Sequence, residues 1–407
     1  MQIYLVGGAV RDRLLGLPVK ERDWVVIGAT GEALEAQGYM RVGRNFPVFL
    51  HPETREEYAL GRTEKKTGPG YHGFEVDADI NVTLEQDLTR RDLTINAIAE
   101  TAEGELIDPH NGQKDIDQRT LRHVSDAFRE DPVRILRVAR FAARFHELGF
   151  GIAEETMALM RQMVEAGEAD ALTPERIWKE TQKALGESRP DVFFSVLRDC
   201  GALAVIFPEI DRLFGVPQPE KWHPEIDTGK HTLMSLEAAA RAETDKAVRF
   251  AVLTHDLGKG TTPEAEWPRH LGHEKRSAEL IKALCQRISV PNDFRDLAIP
   301  VALYHGIAHR ASELKASTLL KTLEALDAFR RPERLDAFLA ACAADIRGRT
   351  GCEENPYPQQ QIIQQAFAAA KSVNPRELVE QGLAGEAMRN ALREARIKAI
   401  KDMRIAK

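Results

Sequence analysis

Apolar and polar positions change rhythm once along this chain, near residue 115. Before that point, short apolar runs alternate with turns and brief helical stretches. Ile3-Tyr4-Leu5-Val6 reads as a buried strand, Val10 to Leu15 as the first turns of a helix, and Asp23 to Ile27 as the next strand. Pro47-Val48-Phe49-Leu50, Glu57-Tyr58-Ala59-Leu60 and Thr94-Ile95-Asn96-Ala97-Ile98 are further β-like runs. Glu64 to Gly73, charged and glycine-rich, predicts a mobile loop, and Asp108 to Gly112 a turn. Beyond 115 the apolar spacing is helical to the C-terminus. Pro208 and the segment Pro217 to Pro224 break it and predict a domain boundary near 215–225. The expected fold class is α+β: a small mixed sheet with helices, then an all-α remainder.

Composition narrows the class. A chain of 407 residues with 43% hydrophobic and 29% charged positions has material for more than one globular core. There is no apolar run of about 18 residues to cross a membrane. The N-terminus enters a strand without a basic-then-apolar leader, and Cys200, Cys285, Cys342 and Cys352 are scattered, so a cytoplasmic location is expected. Net charge is −7, so a nucleic-acid partner would need a local basic surface. Two stretches offer one: Arg129 to Arg144, and the tail with Arg389, Arg393, Arg396, Lys398, Lys401, Arg404 and Lys407. The tail reads equally as an ordinary amphipathic basic helix.

The chemistry-bearing residues begin at the first strand–helix junction. Gly7-Gly8 lets backbone approach a triphosphate and offers N–H groups at a helix start, just ahead of Arg11. Glu21 and Asp23, two apart at the head of a strand, would project side by side and supply hard oxygens for Mg²⁺. In this order they resemble the nucleotidyltransferases of the polymerase β superfamily. Arg90-Arg91-Asp92 suits phosphate oxygens and a ribose hydroxyl. Glu130-Asp131-Pro132-Val133-Arg134 opens a helix on which Arg134, Arg137, Arg140 and Arg144 form one basic stripe. An aspartate beside an arginine can read a base edge: the carboxylate accepts from the exocyclic amine shared by cytosine and adenine, and the guanidinium donates to the ring acceptor.

Taken together, GGAVRD, the acidic pair, RRDLTINA and EDPVR resemble the class II tRNA nucleotidyltransferases, the CCA-adding enzymes, over roughly residues 1–145. That resemblance implies a polymerase β-like head at 1–110, a nucleotide-selecting neck at 111–165 and a helical body at 166–222. It implies CMP, CMP and AMP addition to the 3′ end of tRNA from CTP and ATP by two-metal transfer. Gly8 and Arg11 would contact nucleotide, and Glu21 and Asp23 would hold Mg²⁺ and carry catalysis. Arg91, Arg137 and Arg140 would bind nucleotide, Asp92 the ribose, and Asp131 with Arg134 would form the amino-acid template. This chain has Glu-Arg-Asp where the family commonly has Asp-x-Asp; Glu57 is the candidate for a third carboxylate.

The helical half has its own signal. Seven of the twelve histidines lie between His223 and His309. His231, placed just ahead of a helix, His255-Asp256 and Asp345 follow the H…HD…D order, with Gly258-Lys259 after the pair, and resemble the HD-domain phosphohydrolases. The implied ligands of a divalent transition metal such as Ni²⁺ are His231, His255, Asp256 and Asp345, with His273 and His305 as accessory residues. The implied domain spans 223–350, leaving 351–407 as a helical basic tail. Its implied activities are phosphatase, 2′-nucleotidase and 2′,3′-cyclic phosphodiesterase, suited to repair of tRNA ends. A monomer is expected, with a homodimer as the alternative. Competing readings are a poly(A) polymerase, a protein-modifying nucleotidylyltransferase, and an HD phosphohydrolase whose N-terminal module only binds tRNA.

Overall fold

A computed structural model describes residues 1–43, 48–66, 74–77, 80–380 and 382–405. It divides into two compact units, Met1–Ile206 and Phe207–Lys407. The first holds a seven-stranded sheet. Its strands are β1 (Gln2–Val6), β2 (Asp23–Ile27), β3 (Met40–Val42), β4 (Val48–Leu50) and β5 (Glu57–Leu60), with β8 (Ala99–Glu100) and β9 (Leu106–Ile107) after the separate hairpin β6 (Thr63–Lys66) and β7 (Phe74–Asp77). The spatial order is β3-β4-β5-β2-β1-β8-β9.

The continuous apolar run Trp24-Val25-Val26-Ile27 has its cause in this order, because β2 is central and covered on both faces. Val25 packs with Val6, Leu88, Ala97 and Ala99 on one side. Val26 packs with Leu34, Phe49 and Tyr58 on the other. Leu34 and Leu88 come from short helices, Gly31–Ala36 and Leu84–Thr89, the second closed by a Thr83/Gln86 capping box.

Three local expectations change. Thr94 to Ile98 is not a strand: Thr94–Asn96 forms a 3-10 turn, and pairing starts only at Ala99. The cause is polar. Thr94 Oγ1 donates to Asp115 at 2.7 Å and Asn96 Nδ2 to Asp92 at 3.0 Å, so buried side chains compete with the ladder. Of the loop predicted over Glu64–Gly73, residues 64–66 belong to β6, and 67–73 lie outside the described residues, as does Pro47 of the fourth strand. Short pairing also persists past 115, between β10 (Thr120–Leu121) and β11 (Gly151–Ile152). After it come the helices Val133–Phe145, Glu154–Glu165, Pro174–Ala184 and Pro190–Asp199.

The second unit is helical. Helices Thr228–Arg241, Lys246–Thr254, Asn292–Ala308 and Pro332–Arg347 pack on one another, and Pro358–Lys371 packs with Gly385–Ile405. The proline-rich 217–224 segment, read as a boundary, lies inside this unit: Pro217 bridges to Asp227, and its carbonyl lies 2.8 Å from His270 Nε2. In the basic tail, Arg393 pairs with Glu324 and Arg396 stacks over Phe329, while Lys407 is outside the described residues. Among the described residues no helix is long and apolar enough to cross a membrane.

Candidate active sites

In the first unit, register brings the acidic strand head to the glycine turn. Val6 pairs with Asp23, and Asp23 with Glu57 across the parallel β2–β5 contact. Gly7, Asp23 and Glu57 therefore share one end of the sheet, and residues paired in register point to the same face. Gly7 has φ +70, and a Cβ there would lie 3.0 Å from Arg91 Nη1, so the turn accommodates a guanidinium against its backbone. Glu21 precedes the strand instead of lying in it, and both Glu21 and Asp23 are exposed. Among the described residues, no trio of head carboxylates closes to within 4.8 Å. Crowding by the sheet end raises the Asp23 carboxyl above its ordinary range; Arg91 opposes this and the like charge of Glu21 adds to it.

Behind that acidic end lies a buried charge web. Arg11 Nη2 donates to Asp12 at 2.7 Å, and Arg144 Nη2 reaches the other Asp12 oxygen at 2.8 Å. Asp92 accepts from Arg137 Nε at 2.7 Å and from the Leu93 amide at 2.9 Å. Burial alone would raise Asp92, but Arg137 and Asn96 outweigh it and hold the carboxyl well below the usual range. Arg90 and Arg91 both pair with buried Asp87. Gly8 begins the helix Gly8–Leu14, at whose N-terminus the Gly7-Gly8 turn sits.

The arginine stripe is less solvated than such stripes usually are: Arg134 and Arg140 are buried. Arg140 Nε donates to Glu180 at 2.7 Å. Arg134 donates to the carbonyls of Ala127 and Arg90 at 2.6 and 2.7 Å. Asp131 accepts instead from Arg176 Nη2 at 2.7 Å. The structure thus joins the Asp131 carboxylate to Arg176, while the Arg134 amide donates to the Asp131 carbonyl at 3.0 Å. A cavity of about 430 Å³ is lined by Val133, Arg137, Thr173, Arg176, Lys179 and Glu180. Sequence reasoning missed Arg176, Lys179 and Glu180. Their signal was the i, i+3, i+4 polar face of the Pro174–Ala184 helix, which packs on Val133–Phe145.

The second unit gathers nearly all its histidines. His231 does not precede a helix but lies within Thr228–Arg241, because Asp227 is the cap and accepts from the Lys230 amide at 2.9 Å. His255 ends the Lys246–Thr254 helix with Asp256 next, His273 starts His273–Arg287, His305 lies in Asn292–Ala308 and Asp345 in Pro332–Arg347. His231 Nε2 is 3.0 Å from Asp345 Oδ1. His255 Nε2 and Lys259 Nζ are 3.2 and 2.6 Å from Asp256 Oδ2. Three residues missed in the sequence complete the cluster, His223, Glu225 and His309: Glu225 Oε1 lies 3.0 Å from both His223 and His231, and His309 Nε2 lies 2.6 Å from Asp345 Oδ2.

Four overlapping trios bring their ligand atoms within 4.8 Å: His223, Glu225 and His231; His231, His255 and Asp256; His255, His305 and Asp345; Asp256, His273 and His305. Imidazoles mixed with carboxylates fit a divalent transition metal. Burial, with His255 beside it, pushes His305 down to about 3, so its ring is neutral at pH 7 and can ligate. Burial alone would raise Asp256, yet His255 and Lys259 hold it well below the ordinary range.

Glycines allow this convergence. A Cβ on Gly258 would overlap the His273 carbonyl and come within 2.7 Å of the Ser277 amide. Gly258→Ala is therefore expected to push the His273 helix away from Asp256, costing about 1–3 kcal/mol. Thermal unfolding, together with metal affinity by calorimetry, checks this; parent-like values for both would refute it.

This combination of a mixed sheet with an acidic strand head, a basic neck and a buried histidine cluster defines a nucleotidyltransferase joined to an HD domain. Family models agree in order along the chain: the Poly A polymerase head domain matches residues 3–122, the probable RNA and SrmB-binding site of polymerase A 149–214, and the HD domain 228–335. The chain is 63% identical to the multifunctional CCA protein of Thioalkalivibrio sulfidiphilus, covering 99% of both chains. It is also 63% identical to that of Nitrosococcus oceani, covering 98% of both. The chain belongs to the multifunctional CCA protein family. Its fold resembles the CCA-adding enzyme of Bacillus stearothermophilus in complex with CTP (TM-score 0.64, 23% identity, 98% of this chain and 89% of that one). It also resembles the Thermotoga maritima CCA-adding enzyme complexed with tRNA (TM-score 0.62, 19% identity, 100% and 91%).

Proposed function

We propose that this chain adds CCA to the 3′ end of tRNA from CTP and ATP, and that its HD domain hydrolyses phosphate esters at damaged tRNA ends. The observation that carries the first activity is the register of Gly7, Asp23 and Glu57 at one sheet end, in a chain of this family. Mg²⁺ bound at Glu21 and Asp23 would lower the pKa of the attacking 3′-hydroxyl and neutralise charge on the departing pyrophosphate. Gly8 and Arg11 meet the triphosphate, with Arg91, Arg137 and Arg140 as further cations toward nucleotide. Asp92 orients Arg137 and, through its remaining lone pairs, accepts from the ribose. Asp131 and Arg134 judge the Watson–Crick edge; Arg176, already paired with Asp131 beside the cavity, holds that carboxylate in place.

Incubating the protein with tRNA lacking its terminus and each labelled nucleotide tests this reading. Incorporation of C, C and A with a stop thereafter is expected. Long A tails would favour a poly(A) polymerase, and no incorporation would refute the activity.

Asp131→Ala should relax base choice. The lost acceptor removes a penalty of about 1–3 kcal/mol for uracil, so discrimination of CTP over UTP falls about 5- to 150-fold. Comparing kcat/KM for the two nucleotides reads this directly, and unchanged discrimination would move the template elsewhere.

In the HD domain, His231, His255, Asp256 and Asp345 hold the metal, with His273 and His305 nearby. The residues fit such a group: His255 Nε2 and Asp256 Oδ1 are buried without a hydrogen-bond partner. Phosphatase, 2′-nucleotidase and 2′,3′-cyclic phosphodiesterase are the reactions this site suits. Lys259, beside Asp256, offers a cation to the phosphate.

A further inference from the structure

The helix Pro332–Arg347 brings Asp345 to the histidine cluster, and the turn just past its end is tied to the same wall. A Cβ on Gly348 would overlap Ser235, so this turn presses directly on the helix that carries His231. Two residues on, the Thr350 amide donates to Glu225 Oε2 at 3.3 Å. Arg349 lies between these anchors, and its backbone is thereby fixed beside the cluster.

The side chain is less committed than the backbone. Its ion pair with Asp345 Oδ1 is loose, because Nη2 stands at 3.6 Å, outside hydrogen-bond range. That carboxylate is already served: Oδ1 lies 3.0 Å from His231 Nε2 and Oδ2 2.6 Å from His309 Nε2. Arg349 Nε is buried with no hydrogen-bond partner among the described residues. A buried donor left unmatched costs about 1–3 kcal/mol, and more when it is charged. The side chain is nevertheless 16% exposed, so part of it remains open to a ligand.

Charge points to the kind of ligand. Glu225, Asp256 and Asp345 each bring a carboxylate to the cluster, and a divalent ion with Lys259 offsets these three. That balance leaves nothing for the negative charge of an incoming phosphate ester. Lys259 contributes to the field, but its ammonium is already engaged by Asp256 Oδ2 at 2.6 Å and by Gln218. A guanidinium suits the remaining task, since its planar fork matches two oxygens of one phosphate.

We propose that Arg349 grips the non-bridging oxygens of the phosphate ester hydrolysed in the HD domain. The inference rests on the metal-phosphohydrolase reading and adds its substrate-binding cation. The plainer alternative makes Arg349 a structural partner of Asp345 alone; the 3.6 Å separation and the unmatched Nε speak against it.

The test compares the full chain, chelated and reloaded with Ni²⁺, with Arg349→Met, which keeps length and removes charge. For hydrolysis of a 2′,3′-cyclic nucleotide, KM and the inhibition constant of inorganic phosphate should both rise about 10- to 150-fold, the weight of a hydrogen bond to a charged group. Bound Ni²⁺ by elemental analysis and the melting temperature should match the parent. Arg349→Lys keeps charge without the fork and should lose only about 2- to 10-fold; it carries the test if Arg349→Met fails to fold. Unchanged KM and phosphate inhibition would overturn the inference. Loss of Ni²⁺ or a lowered melting temperature in both variants would also overturn it, as the signature of a partner for Asp345 only. A reloaded parent without ester hydrolysis would overturn the phosphohydrolase reading itself, and the role of Arg349 with it.

Discussion

Asp23→Asn should lower CMP and AMP incorporation by at least about 10²–10³-fold, the loss typical of removing one preorganised electrostatic contact at a reacting phosphate. The substitution keeps shape and removes charge. Asp23 is exposed at the head of β2, and its backbone remains bonded between β1 and β5, so stability should change by no more than about 0.5 kcal/mol. The small change has a direction. Crowding and Glu21 raise the Asp23 carboxyl, so relieving that repulsion stabilises the head slightly above the ordinary carboxylate pKa. Single-turnover incorporation into tRNA lacking its terminus measures the loss, and a thermal melt checks the fold. Hydrolysis of a 2′,3′-cyclic nucleotide by the same preparation should be unchanged. Parent-like incorporation would remove Asp23 from the reaction.

Much of the head was readable because its signals are local. Trp24 to Ile27 is apolar throughout since β2 is buried on both faces, and Gly7 is glycine because its φ is positive and Arg91 packs against it. The His255-Asp256 pair was likewise visible as neighbours in sequence. What stayed hidden depends on partners distant in the chain. Arg176 acquires meaning only through Asp131, 45 positions away, and His309 only through Asp345, 36 away. Glu225 likewise acquires meaning only through His223 and His231, which share it. Thr94 to Ile98 misled for a related reason: β-branched residues suggest a strand, but Asp115 and Asp92 capture Thr94 and Asn96 through buried hydrogen bonds.

The complementary substitution, Asp256→Asn, should abolish phosphate-ester hydrolysis and leave CCA addition at the parental rate. Asp256 is the carboxylate on which His255, His273, His305 and Lys259 converge, so an amide there removes the charge that a bound cation requires. Lys259 then loses its anionic partner at 2.6 Å while remaining buried, left with neutral acceptors such as Gln218. Breaking such a pair costs about 3–5 kcal/mol, so the metal-stripped variant should melt measurably below the metal-stripped parent. Acid should narrow that gap. Burial would raise Asp256, but His255 and Lys259 depress it well below its unfolded value. Its stabilisation is therefore complete above about pH 4 and disappears as pH falls through the folded-state pKa. Melts at neutral pH and at pH 3 should thus differ less for Asp256→Asn than for the parent. An equal or larger acid loss in the variant would place the depressed carboxylate elsewhere, and retained ester hydrolysis would remove Asp256 from the metal site.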